Sequence, residues 1–374
     1  MKKNRVNIPY VNLNLQWKKE KKLLLKVIND TLENDGWVGG KHIYNFEKNI
    51  ANLCKTKYAI SLNSGTDALT LGLHLLGVRR GDEVITTPNS FIASSAVIVH
   101  LGAIPVFVDV LNDQNMDPDK LKVAITNKTK AIMPVHLTGR ICEMSKIMKI
   151  ANKYNIPVIE DAAQSIGSLY KGKPAGSFGK MGCFSAHPLK NLNAIGDAGY
   201  MTLNDARIYK IIMDLKNHGM TTDRNKIRKF GHVSRMDNLQ AAVLNYRLNN
   251  LNKVIVQRRK NARYYEKYLN QKFVFLPKEE KHQYNSYHTF VVQVDKRNEL
   301  KKYLLKNGIN TTIHYPIPIH LQPAAKFLKY KRGSFPVAEV QSKRILTLPI
   351  NQYLKHEQIK MICNKINYFY EKNL

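Results

Sequence analysis

The 374-residue chain predicts an α/β fold: a large α/β unit on a mostly parallel mixed sheet, with a smaller C-terminal α+β unit. Three observations carry this. Short apolar runs alternate with helical patterns over the first two-thirds, as repeated strand–helix–strand units do. The rhythm changes near Gly196 and again beyond about Phe273. Composition is that of a globular chain with a large core, 44% hydrophobic and 23% charged.

The elements follow in order. KYAISLNS reads as a strand ending near Ser64, and GTDALTLGLHLLG as the helix after it. DEVITTP is a strand and SFIASSAVIVHLG a helix. IPVFVDV, AIMPVHL and IPVIED follow as strands, with Asp117-Pro118 as N-cap and first residue of a helix between the first two. CEMSKIMKIANKYN carries apolar residues at helical spacing before the last of them. Such alternation predicts a buried sheet with helices on both faces.

GCFSAH and AGYMTLN read as two further strands joined by HPLKNLNAIGDAG. DARIYKIIMDLKNHG and the long stretch LQAAVLNYRLNNLNKVIVQRRKNARYYEKYL are helical. HTFVVQV then reads as a strand and ELKKYLLKNG as a helix ended by Gly308. A boundary within 245–275 divides the chain into units 1–255 and 256–374, and the first 30 or so residues are expected against the smaller unit or a partner subunit.

The net charge of +31 is unusual. Its cations are spread through KKEKK, KKYLLK, KIRK and QRRKNAR, and no zinc-finger, RNP-like or helix-turn-helix signature organises them. They read first as a solvated surface, so no nucleic-acid partner is expected, although a basic field also attracts a phosphorylated small molecule. No apolar run reaches the roughly 18–20 residues of a membrane span. The start, MKKNRVNIPYVNLNLQW, lacks an apolar signal region, and a cytoplasmic location without a membrane partner is expected. Cys54, Cys142, Cys183 and Cys363 form no metal-binding spacing; reduced thiols and no metal are expected.

Ligands of open α/β sheets bind beyond the carboxyl ends of the strands. Asn63-Ser64-Gly65-Thr66-Asp67 enters a helix there: Gly65 permits close backbone approach and Thr66 offers a hydroxyl, which suits a phosphate or simply a cap. Asp161, after IPVIE, needs a partner if buried, either a salt bridge, a helix cap or a protonated ring nitrogen, with Gln164 one helical turn further on. Phe91 brings an aromatic ring to the same rim, or to the core. Lys190 follows GCFSAH; enclosed in a partly apolar site it would lose its proton more readily and could attack a carbonyl carbon. With Ser185 as a further hydroxyl, the set matches what pyridoxal phosphate requires of a protein.

In these motifs the chain resembles the DegT-type sugar aminotransferases (DegT/DnrJ/EryC/StrS), pyridoxal-phosphate enzymes of the aspartate aminotransferase fold, fold type I. The resemblance runs in order through SLNSGTDALTLGL, ITTPNSFIASS, PVHLTG, PVIEDAAQSIGSLYKGKPAGSFG, FSAHPLKNLNAIGDAG, LKNHG, SRMDNLQAAVLNYRL, HYPIPIH and LTLPI. It implies that Lys190 is the Schiff-base lysine and moves a proton between substrate and cofactor. It implies further that Asp161 pairs with the pyridinium nitrogen, Gln164 reaches the phenolic oxygen and Phe91 covers one ring face. Gly65, Thr66 and Ser185 would hold the phosphate, and Arg235, His314 and Tyr315 would contact the substrate. The implied reaction takes an amino group from L-glutamate to a keto sugar carried on a nucleotide, in a homodimer with composite active sites.

Two departures stand out. Many relatives place an asparagine two residues before the SRMD-type arginine, to reach the neighbouring subunit's cofactor phosphate; Val233 cannot, leaving His232 or Ser234 to compensate. The lysine is followed by Gly-Asp-Ala-Gly rather than Gly-Glu-Gly-Gly, which with LKNHG leans toward a ketone at the sugar's 3-position. Alternatives are a keto sugar on another carrier, such as an octulosonate, or a basic regulator that binds nucleic acid. A dehydratase is disfavoured, since dehydrating relatives replace the lysine with histidine.

Overall fold

The computed structural model describes residues 7–221, 223 and 225–373. Its strands are β1 (Tyr58–Leu62), β2 (Glu83–Thr86), β3 (Ile104–Phe107), β4 (Thr129–Ile132), β5 (Ile159–Asp161), β6 (Leu169–Tyr170) and β7 (Lys173–Pro174). There follow β8 (Met181–Ser185), β9 (Gly199–Leu203), β10 (Val274–Phe275), β11 (Gln283–Tyr284), β12 (Phe290–Val294) and β13 (Ile345–Leu348).

The large sheet is assembled from two ladders, β3-β2-β4 and β5-β8-β9-β1. Parallel bridges Ile132–Val158 and Val135–Asp161 carry one ladder into the next. β2, β3 and β4 pair in parallel, as do β5 and β8, whereas β9 runs antiparallel to both β8 and β1. The sheet is therefore mixed and mostly parallel.

Period-two alternation sorts its side chains onto two faces. Ala59, Ile85, Ile132, Val158, Phe184 and Tyr200 join one core, with Phe46, Ile50 and Cys54 of helix Lys41–Cys54 and Met144, Ile147 and Ala151 of helix Met144–Lys153. Their neighbours Ile60, Val84, Ala131, Ile159, Cys183 and Met201 join the other, with Leu69 and Leu73 of helix Gly65–Leu75, Val97 of helix Ala93–His100 and Ile212 of helix Ala206–Leu215. Both faces are buried, as the continuous apolar runs require.

A separate core gathers β10, β12 and β13 with helices Arg297–Lys306 and His356–Asn373. The N-terminal arm joins it: Ile8 is fully buried there and forms a parallel bridge to Ile309. Helix Leu251–Tyr268 spans both cores, with Leu251 and Ile255 in the first and Ala262 and Tyr265 in the second.

Three local expectations change. The long helical stretch divides at Asn249-Asn250 into helices Asn238–Leu248 and Leu251–Tyr268, at residues of low helix propensity. Asp117 does cap a helix and Pro118 does open it, but that helix is only Pro118–Leu121, continued by one 3₁₀ turn. After Asp161 the chain makes turns rather than a helix, with Gly167 at φ +77° before β6, so Gln164 is not placed by a helical repeat.

Candidate active site

Four strands end at one cavity of about 440 Å³, within the usual range for a small-molecule site. β1 delivers Ser64, Gly65 and Thr66; the turn after β2 delivers Ser90 and Phe91; β5 delivers Asp161 and then Gln164. β8 ends in Ser185, and Lys190 follows in the loop to β9. Because β9 is antiparallel, its start rather than its end reaches the same rim, and Asp197 and Ala198 complete the wall there. His314 and Tyr315 close the cavity from the far end of the chain.

Lys190 is placed by a short turn in which its N–H donates to the carbonyl of His187 at 2.8 Å, and the His187 N–H donates to Ser185 Oγ at 3.3 Å. The side chain is partly open to the cavity. Burial lowers its pKa to about 8, offset in part by the carboxylate of Asp161. That is the environment in which an ammonium becomes an available amine near neutrality.

Asp161 is 5% exposed. Ser94 Oγ donates to its Oδ2 at 2.7 Å, and the Ala163 N–H donates to Oδ1 at 3.2 Å. Burial pushes its pKa up, against the Ser94 bond, the Ala163 N–H and the charge of Lys190. Each member of the Lys190–Asp161 pair is thus drawn toward its neutral form. The adjacent Glu160 points to the opposite side of the strand and is satisfied structurally: it accepts from the N–H groups of Gly176, Phe178 and Gly179 at 2.7–2.8 Å and pairs with His136 Nε2 at 3.0 Å.

The phosphate-sized end is the N-terminus of helix Gly65–Leu75. Ser64 Oγ accepts the Asp67 N–H at 3.1 Å, which leaves the N–H groups of Gly65 and Thr66 without intrahelical partners. The approach is close: a Cβ at Gly65 would lie 2.9 Å from Cβ of Ser185, and one at Gly199 only 2.1 Å from the Ser64 carbonyl carbon. His232 Nε2 stands 3.5 Å from Asp67 Oδ2 in the helix's first turn, and Ser234 Oγ bonds Asn63 Oδ1 at 3.3 Å. Val233 between them is 44% exposed.

Phe91 is 56% exposed at the rim, not in the core, and its ring centroid lies 6.2 Å from that of Tyr315. Gln164 accepts from the Thr138 N–H at 2.9 Å and lines the cavity with Tyr315, whose pKa burial raises. His314 Nδ1 pairs with Thr347 Oγ1 at 3.0 Å, and burial together with Lys190 lowers its pKa to about 4.

Arg235 stands apart: it does not line the cavity of its own chain, and its Nη1 donates to Asn217 Oδ1 at 2.6 Å. The sequence reading missed Ser94, the partner of Asp161, and His288, which lines the cavity beside Lys190. Ser94 carried one signal, its place one helical turn after Ser90 in SFIASS; His288 carried none.

The set fits pyridoxal phosphate. An amine of lowered pKa and a buried, hydrogen-bonded carboxylate face one cavity, an exposed ring lies at its rim, and a helix N-terminus is packed too closely for a Cβ at Gly65. Lys190 would carry the aldehyde carbon, Asp161 the ring nitrogen, and Gly65, Thr66 and Ser185 the phosphate.

Comparison with known proteins agrees with this geometry. The pleiotropic regulatory protein of Geobacillus stearothermophilus is 37% identical over 98% of this chain and 99% of its own. The dTDP-3-amino-3,6-dideoxy-alpha-D-galactopyranose transaminase of Aneurinibacillus thermoaerophilus is 38% identical over 96% and 99%. The crystal structure of S. venezuelae DesV, in complex with a ketimine intermediate, superposes with a TM-score of 0.94 at 32% identity, covering 97% of this chain and 98% of that one. The model of the DegT/DnrJ/EryC1/StrS aminotransferase family matches residues 18–367, and the chain belongs to that family.

Proposed function

We propose that the protein is a pyridoxal-phosphate-dependent transaminase that moves an amino group from L-glutamate to a nucleotide-linked keto sugar, at a 3-ketone rather than a 4-ketone. The product would enter a surface polysaccharide or a deoxyamino sugar. The observation that carries this reading is the meeting of Lys190 and Asp161 in one cavity with the N-terminus of helix Gly65–Leu75. The lean to the 3-position rests on Gly-Asp-Ala-Gly and LKNHG, and is supported by the Aneurinibacillus relative, named for a 3-amino sugar.

Pyridoxal phosphate, when bound, supplies the electron sink that makes an α-proton acidic. The chain's own groups do the rest. Lys190 Nζ, as the neutral amine, would take the α-proton of the amino donor and, as the ammonium, would deliver it to the cofactor's aldehyde-derived carbon, and would move a proton the opposite way when the sugar is aminated. Asp161, oriented by Ser94, would hold a positive ring nitrogen. Gln164 and Tyr315 add polar groups to the cavity wall, and Phe91, at the rim, would cover one face of the cofactor ring. L-glutamate leaves as 2-oxoglutarate, and the sugar ketone becomes an amine.

The enzyme would act in the cytoplasm as a homodimer with composite sites. Exposed Trp37, Tyr44 and Phe230 support an unmet partner surface, and Arg235, outside its own cavity, is available to a neighbour's. The two cores would correspond to units 1–255 and 256–374. The described helices include none long and apolar enough to cross a membrane.

Protein loaded with pyridoxamine phosphate, mixed with nucleotide-linked 3- and 4-keto sugars, tests the reading. The 3-keto sugars should restore the visible absorbance of the pyridoxal form. Restoration only by an octulosonate, the alternative that Val233 favours, would overturn the nucleotide assignment. Salt-dependent DNA binding by a protein that takes up no cofactor would replace it with the regulator reading.

A further inference from the structure

The N-terminal arm runs beside the segment that carries His314. The Ile8 N–H donates to the carbonyl of Gly308 at 2.8 Å, and the Ile8 carbonyl accepts the Asn310 N–H at 3.0 Å. On its other side the same segment meets β13, where Thr312 and Thr347 exchange backbone bonds at 3.2 and 2.8 Å. The arm is pinned again at Tyr10, whose carbonyl accepts from Asn351 Nδ2 at 3.4 Å. Just beyond, Asn12 Oδ1 accepts the Leu15 N–H at 3.1 Å and caps helix Leu13–Asn34. Tyr10 is therefore fixed from both directions along the chain.

Four rings form a row from the cavity rim to this arm. The centroids of Phe91 and Tyr315 lie 6.2 Å apart, those of Tyr315 and His314 5.3 Å, and those of His314 and Tyr10 5.9 Å. The first three residues line the cavity; Tyr10 does not, and meets it through the imidazole of His314. Thr347 Oγ1 occupies His314 Nδ1 and leaves Nε2 for the cavity. That one bond would let the imidazole tilt about it. Tyr315, edge-on at 88°, and Tyr10, inclined at 41°, remove the freedom, because paired rings at these distances prefer defined orientations. The titratable groups around the imidazole are Lys190 and His288, which oppose its protonation when charged, and Tyr10 and Tyr315, kept neutral by burial. Arg258 stands beyond Tyr10.

We propose that Tyr10 is a positioning residue for the sugar substrate: its ring holds the His314 imidazole at the angle that presents Nε2 to the cavity, and shields it from water. The inference rests on the sugar-transaminase reading, in which His314 contacts the substrate. The phenolic hydroxyl is not required for it; the ring is.

The test compares wild type with Tyr10→Ala, which removes the ring, and Tyr10→Phe, which keeps it. In the first measurement the cofactor-free proteins carry isotope-labelled histidine, and the His314 signal, assigned through His314→Asn, is titrated by NMR. Burial holds His314 at about 4, so admitting water should raise its midpoint by about one unit or more in Tyr10→Ala. In the second, the pyridoxamine forms are mixed with nucleotide-linked 3- and 4-keto sugars and the return of the pyridoxal absorbance is followed. The sugar concentration giving half the limiting rate should rise roughly 3- to 10-fold in Tyr10→Ala. Tyr10→Phe should keep most of the wild-type behaviour in both. In a His314→Asn background Tyr10→Ala should add little, since its effect passes through that ring.

An unmoved midpoint or an unchanged sugar dependence in Tyr10→Ala would overturn the proposal. So would a Tyr10→Phe protein as impaired as Tyr10→Ala, or an undiminished effect of Tyr10→Ala in the His314→Asn background. If Tyr10→Ala does not fold, Tyr10→Leu, which fills the space without a ring, carries the same expectations. Wild-type protein that reacts with none of the sugars refutes the sugar-transaminase reading itself, whereas reactive wild type with an unaltered variant refutes only the role of Tyr10.

Discussion

Ser94 Oγ donates to Asp161 Oδ2 over 2.7 Å, and Ser90 Oγ stands 2.7 Å behind it. This short chain of hydroxyls is the principal side-chain support of a carboxylate that burial pushes toward protonation. A hydrogen bond to a charged group is worth about 1.5–3 kcal/mol. Ser94→Ala should weaken cofactor retention by roughly 10- to 100-fold, measured by dialysis and absorbance. Ser94 lowers the Asp161 pKa, so its loss raises that pKa further. The acidic limb of the activity profile should therefore move to higher pH, whereas a merely structural loss would lower activity at every pH alike.

A second prediction concerns stability against pH in the cofactor-free protein. An unfolded histidine titrates near its ordinary 6.5, but folded His314 titrates at about 4 because burial and Lys190 disfavour its charge. Between those values the unfolded chain binds a proton that the native site refuses. Stability from this group is whole above pH 6.5 and is lost as the pH falls toward 4. His288, lowered for the same reasons, acts in the same direction. Urea unfolding should show midpoints that fall through this window, and His314→Asn should flatten the fall. An unchanged slope in the variant would refute the assignment.

The site was legible where chemistry follows directly on a strand. Asp161 and Ser185 end β5 and β8, while Gly65 and Lys190 lie only a few residues beyond β1 and β8, so the parallel topology brings them together once the strands are recognised. Ser94 was hidden because a serine in SFIASS reads as the polar side of a helix, although it is 1% exposed. His288 was hidden by distance: it precedes β12, which belongs to the second core, and only packing of the two cores brings it to Lys190. Gln164 reached its place by a different local structure from the one expected, through turns and the Thr138 N–H rather than a helical repeat.

Gly199 offers a third prediction, this one steric. β9 crosses so near the start of helix Gly65–Leu75 that a Cβ at Gly199 would lie 2.1–2.3 Å from backbone atoms of Ser64 and Gly65. Backbone cannot swing aside as a flexible side chain can. Gly199→Ala should cost about 1–3 kcal/mol of stability, and should displace the N–H groups proposed to hold the phosphate. The expected signature is a lowered Tm together with weaker binding of pyridoxal phosphate than of pyridoxal. A variant with wild-type Tm and phosphate preference would show that the backbone yields.

The last prediction uses the separation of Arg235 from its own cavity. If Arg235 serves the partner's site, Lys190→Ala and Arg235→Ala must complement one another. Each homodimer of a single variant carries the same defect in both sites and should be inactive or, for Arg235→Ala, poor at low sugar concentration. In an equal mixture of subunits, about half of the dimers are mixed, by random pairing in a two-fold assembly. A composite site then places both defects in one cavity of the mixed dimer and neither in the other. About a quarter of wild-type activity should return, half the dimers working through one site of two. A site built within one chain gives the opposite result, since each cavity of the mixed dimer keeps one defect. Refolded or co-expressed mixtures, assayed at low sugar concentration with cofactor content measured in parallel, decide between the arrangements, and no recovery above the parent variants excludes the composite one.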